Sequence, residues 1–152
     1  MTLKVLQLIS IVLAALVTGV FWGPWVAFSR SMKTFGPDVF LAIVQRMKRN
    51  LEPVMTVLMP VALLSIVPVL VLTYGNRPET FYAALTGFGL FVVALAVTML
   101  VEVPIVQEIA SWTAETMPEH WHQRRDRWVS FHSIRILSGA GGLVALLVGT
   151  IF

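Results

Sequence analysis

At 152 residues the chain has the length of one domain, yet 57% of its residues are hydrophobic and only 12% charged, about half the charged share of a soluble fold. An ordinary soluble enzyme is excluded. Nucleic-acid binding is not indicated by the net charge of +3, because the basic residues border apolar stretches, where membrane proteins place them. The absence of cysteine removes disulfides, thiolate metal sites and cysteine nucleophiles.

Four apolar stretches, at about 5–28, 54–72, 81–103 and 131–152, are long enough to cross about 30 Å of hydrocarbon as helices. They predict an all-α integral membrane four-helix bundle forming one domain over the whole chain. The first stretch begins like a signal peptide, but its apolar run continues through Phe21, Trp22, Trp25 and Phe28 without a small-x-small cleavage site, so it reads as a retained helix. Between spans one and two, Val39, Phe40, Ile43, Val44 and Met47 share a face, with Arg46, Lys48 and Arg49 elsewhere. That pattern predicts an amphipathic helix lying at the membrane interface. Gly75, Asn76 and Pro78 mark a short turn before span three. Beyond span three the helical spacing continues from Ile105 to Thr116 but turns polar, and Thr116 and Pro118 read as the N-cap and first turn of a helix that starts before span four. Spans three and four thus extend into the cytoplasm as a hairpin.

Nine of the 11 basic residues lie in or beside the connections that follow spans one and three. Only Lys4 and Arg77 lie on the other side. The positive-inside rule puts both long connections in the cytoplasm and both termini outside, with a bacterial inner membrane as the expected location. Pro24, Pro60, Pro68 and Pro104 release backbone groups within or at the ends of spans and predict kinks.

On the fourth helix Arg124, Trp128, His132, Arg135, Gly139 and Gly142 fall within an arc of about 80°. Charged groups near the bilayer face the bundle interior or a wet cavity, because facing lipid costs several kcal/mol. The plainer readings are that Arg135 snorkels to the headgroups and that the glycines let helices approach closely. Glu102, near the end of span three, reaches the depth of His132 and Arg135 in an antiparallel neighbour and can pair with Arg135; Thr98 shares its face. On the first helix Thr18, Trp22, Trp25 and Ser29 share a face and form either an interfacial anchor or an aromatic pocket wall. His120 and His122 do not share a helix face and read as solvated surface. No metal-site, phosphate-loop or nucleophile-elbow motif is present.

The stretch VEVPIVQEIASWTAETMPEHWHQRRDRWVSFHSIR, flanked by apolar spans, resembles the anthrone-oxygenase-like family of small four-helix membrane proteins, most of them uncharacterised. The matching pattern is the proline-containing end of span three, a Trp-containing polar helix, and Arg127, Trp128, His132 and Arg135 entering span four. The family usually has an Asn or similar residue soon after the span-three proline; Gln107 occupies that place here. The resemblance implies a membrane-embedded oxidoreductase of oxygenase type acting on a lipophilic aromatic or quinone-like molecule. In that reading His132 is the base, Arg135 stabilises the oxyanion and Glu102 orients them. Trp22, Trp25 and Trp128 hold the ring system, with Ser29, Thr98, Gln107, Arg124 and Gly139 as further substrate contacts. The cofactor is left open, with none as one case and haem with His132 as axial ligand as a minor variant. The competing reading is a non-enzymatic protein, binding membrane lipid or another lipophilic small molecule through the same stripe, or an accessory subunit. Transport would require a homo-oligomer, since duplicated halves are absent.

Overall fold

The computed structural model describes residues 1–28 and 31–151. Four helices account for it: α1 (Thr2–Phe28), α2 (Pro37–Thr73), α3 (Pro78–Ala110) and α4 (Trp121–Val148). There is no strand among the described residues, and each helix is long and apolar enough to cross a membrane. Apolar runs of this length fold as helices because lipid offers backbone N–H and C=O groups no partner outside the segment. Local signals set the ends. Pro37 and Pro78 occupy first-turn positions, with Asp38 and Glu79 beside them, where a missing N–H is harmless and a negative charge meets the helix dipole. Between α2 and α3 the chain reverses through Gly75 at φ +73°, a left-handed conformation that glycine adopts without Cβ strain.

Three features depart from the sequence reading. The amphipathic stretch after span one is not a separate interfacial helix. It is the first third of α2, which runs unbroken for 37 residues through Pro53, Pro60 and Pro68, roughly 55 Å at the α-helical rise. Its apolar face has protein to bury against rather than lipid: Phe40, Leu41 and Val44 pack with Ile105, Ile109, Trp112, Trp121 and Trp128 in a second core outside the main bundle. Thr116 does not cap α4. It exchanges hydrogen bonds with Thr113, and α4 begins at Trp121. Within α3, residues Thr98–Glu102 form a π-helical turn, closed by the Val103 N–H bonding to the Thr98 carbonyl five residues back. Pro104 lies immediately beyond. Its ring would crowd the Leu100 carbonyl in a regular α-helix, and the widened turn relieves that clash.

The main core joins all four helices, with Val17, Phe21, Ile66, Phe91 and Ala94 at its centre. Close approach of α3 and α4 depends on two glycines. A Cβ on Gly142 would lie 2.9 Å from Phe91 Cε2 and 3.2 Å from the Gly87 carbonyl oxygen. Large apolar side chains such as Leu64, Val71, Leu100 and Leu137 face outward, each more than two-thirds exposed, as lipid-facing surface requires.

Candidate functional site

At the seam between the two cores, three ionisable side chains meet in the bundle interior. Glu102 (3% exposed) comes from the π turn of α3 and His132 (4%) from α4. Arg135, one turn further along α4, bonds through Nη1 to Glu102 Oε2 and to Thr98 Oγ1 at 3.4 Å. His132 Nδ1 lies 3.2 Å from Glu102 Oε1, and His132 Nε2 donates to the Phe21 carbonyl on α1 at 3.0 Å. The guanidinium sits 4.3 Å over the Phe21 ring, a cation–π contact, and Trp128 stacks against His132 with centroids 5.6 Å apart. Among the described residues, buried Arg135 Nε has no hydrogen-bond partner.

Each element has a local reason to deliver its group. Thr98 and Glu102 start and end the π turn and reach the same guanidinium. Trp128, His132 and Arg135 follow at helical spacing. Pro24 has no N–H for the Val20 carbonyl, so the α1 ladder is open beside the Phe21 carbonyl that receives His132.

These groups form one wall of a cavity of about 490 Å³, within the range of small-molecule sites. Glu102, His132, Arg135, Thr98, Gln107 and Trp128 all line it. The facing wall is α2, from Val44 to Pro60, with Met47, Met55 and Met59 supplying flexible apolar surface and Lys48 and Glu52 supplying charge. The α1 contribution is Val20 and Pro24.

The remaining sequence-predicted contacts lie elsewhere. Trp22 is half exposed and touches Trp25 at 5.4 Å between centroids; Trp25 packs against the main core, and neither lines the cavity. Gly139 is a packing site: a Cβ there would lie 3.0 Å from Phe21 Cδ2, and its carbonyl accepts from Thr18 Oγ1 at 3.3 Å. Arg124 pairs with Glu108 at 3.1 Å, both about 40% exposed, a surface tie between α3 and α4 of small energetic weight. Ser29 lies outside the described residues. His120 is exposed, and His122 stacks on Trp121 at 3.9 Å between centroids.

Sequence reasoning missed the α2 wall and the Phe21 carbonyl. A signal for the wall existed, because Val44, Lys48, Leu51, Met55 and Met59 keep one helical phase. Dividing the segment into an interfacial helix and a span hid it. With Nε2 given to a carbonyl and Nδ1 to a carboxylate, His132 can take up the base role expected of it only if one of these contacts opens. An axial bond to haem iron would likewise break one of these contacts.

The family model described as Anthrone oxygenase matches residues 47–145. That span contains Glu102, His132, Arg135 and most of the α2 wall, but not Phe21. No curated protein and no solved structure matches the chain.

Proposed function

Because the chain belongs to the anthrone oxygenase family, we propose that it is a membrane-embedded oxidoreductase of oxygenase type acting on a lipophilic aromatic ketone. One observation carries this reading. Arg135, held by Glu102 and with its side chain 12% exposed, lines a largely apolar cavity of about 490 Å³, where an oxyanion would meet a fixed charged donor in a low-dielectric site.

An aromatic ketone of this kind has a weakly acidic methylene. Loss of a proton to solvent water gives an enolate, and O₂ takes its electrons, one oxygen atom bonding to the former methylene carbon and the other leaving with both methylene hydrogens. The methylene becomes a carbonyl and water leaves. Arg135 stabilises the enolate oxygen, which makes the C–H more acidic when bound than when free. Glu102 and His132 hold Arg135 in place and, bonded to each other as they are, act on the oxyanion rather than on the proton. Trp128 and the α2 methionines hold the ring system through dispersion and sulfur–aromatic contacts. Nine of the 11 basic residues flank the connections near the cavity, which supports a cytoplasm-side site with both termini on the opposite face.

The direct test is O₂ consumption with anthrone by the full chain in proteoliposomes. Wild type should consume O₂ in step with anthraquinone formation, and Arg135→Gln should lose at least about tenfold in rate, the loss of one charged oxyanion donor. Wild-type rates no higher than those of protein-free vesicles would overturn the reading in favour of a non-enzymatic binder.

A further inference from the structure

We propose that the Glu102–His132–Arg135 cluster carries one net positive charge and that the cavity is a receptor for a planar, lipophilic monoanion, which supplies the counter-charge. The inference rests on the functional reading above for the aromatic nature of the ligand. The charge follows from hydrogen-bond geometry alone.

The Phe21 carbonyl can only accept, so His132 Nε2, 3.0 Å away, carries a proton. The contact between His132 Nδ1 and Glu102 Oε1 at 3.2 Å then needs a proton of its own, because a bare ring nitrogen and a carboxylate would otherwise oppose two lone pairs. That proton sits either on the imidazole, giving imidazolium and carboxylate, or on the carboxyl group, giving neutral imidazole and glutamic acid. Both arrangements hold the same number of protons. With Arg135 always charged, both leave the trio at plus one.

Nearby charges do not cancel it. The α1 helix offers the site the ring and carbonyl of Phe21 and the cavity-lining side chains Val20 and Pro24, none of them charged. From α2 come Lys48 and Glu52, one of each sign. From α3 the remaining polar contributors are Thr98 and Gln107, both neutral, and Glu108 beyond them is matched by Arg124. A net charge at the wall of a mostly apolar cavity is costly without a counter-ion, and Arg135 lines that cavity. An enolate, phenolate or aromatic carboxylate supplies the counter-charge, while Trp128 and the α2 methionines, which also line the cavity, accept its ring.

The test uses the full chain in nanodiscs and two fluorescent probes of matched shape, anthracenecarboxylate and neutral anthracenemethanol. Wild type should favour the anion at least about tenfold, as expected for contact with an uncompensated charge. Calorimetry in buffers of different ionisation enthalpy should show no proton uptake on anion binding. His132→Gln keeps Arg135 but leaves the cluster neutral, so the preference should vanish. Adding Glu102→Gln to that variant restores the positive charge, and the preference should return. A merely structural role for His132 would not give that rescue. Uptake of about one proton by wild type, or an undiminished preference in His132→Gln, would overturn the charge assignment. Displacement of the probe by laurate as readily as by unlabelled aromatic anion would overturn the aromatic part. Anion preference without anthrone turnover would refute the oxygenase reading and leave this inference standing; turnover without anion preference would do the reverse.

Discussion

Removing Glu102 tests how strongly the buried cluster is held together. In Glu102→Ala, Arg135 loses its carboxylate partner and keeps, among the described residues, only the hydrogen bond to Thr98 at 3.4 Å and the Phe21 ring, while its Nε is already without an acceptor. His132 Nδ1 loses its partner as well. The side chains of Glu102 and Arg135 are 4% and 12% exposed, so solvent cannot compensate the stranded charge. Breaking a buried pair from one side costs about 3–5 kcal/mol, and this variant should lie in that range. Replacing both partners, Glu102→Leu with Arg135→Met, removes both charges of that ion pair together and should cost at least about 1 kcal/mol less than Glu102→Ala, because apolar groups of similar size replace a pair whose desolvation offsets its attraction, while the His132 Nδ1 contact is lost in both. Reversible unfolding in mixed micelles of a mild detergent and dodecyl sulfate, followed by tryptophan fluorescence, measures both. A loss below about 1 kcal/mol for Glu102→Ala, or a double variant no more stable than the single one, would refute the reasoning.

The helix contact at Gly142 gives a second expectation. Gly142→Ala should destabilise by about 1–3 kcal/mol through overlap with Phe91 and the Gly87 carbonyl, whereas Gly89→Ala, with nothing within 4 Å of its Cβ position, should not lower the unfolding midpoint. Filling the cavity from α2 with Met55→Trp or Met59→Trp should weaken binding of anthracenecarboxylate by roughly tenfold or more, read by fluorescence titration, with helicity by circular dichroism unchanged. Arg124→Ala breaks only the exposed pair with Glu108; its unfolding free energy should change by less than about 1 kcal/mol and its anthrone turnover should match wild type. Trp22→Leu, away from the cavity, should also turn over anthrone at the wild-type rate.

The four-helix membrane architecture was legible because bilayer thickness and backbone satisfaction leave an apolar run of twenty-odd residues few alternatives. The α4 stripe was legible in phase but not in partner. Of its six residues, Trp128, His132 and Arg135 line the cavity, Arg124 goes to the surface, and Gly139 and Gly142 close helix contacts. Helical phase gives a common face, and that face meets different neighbours along its length. On α1 two faces competed. The Trp22–Trp25 face carried the larger side chains, but Ser10, Ala14, Val17 and Phe21 recur at spacings of four, three and four and are buried, and of the tryptophan face only Thr18, among the described residues, is buried with them. On α2, the sequence reading began the span at about residue 54, just after Pro53. The helix continues through it, and the stripe from Val44 to Met59 that crosses it became the cavity's missing wall. The His132 bond to the Phe21 carbonyl was beyond sequence reasoning, since a backbone acceptor leaves no trace in residue identity.

In the proposed reaction Arg135, held by Glu102 and His132 at the cavity wall, serves oxygenation of a lipophilic aromatic ketone. The most direct measurement supplies isotopically heavy O₂ to the reconstituted chain with anthrone and follows label in the product by mass spectrometry. One labelled oxygen per anthraquinone is expected, formed well above the vesicle background by wild type and close to background by Arg135→Gln. Equal labelled-product rates from wild type and Arg135→Gln would contradict it.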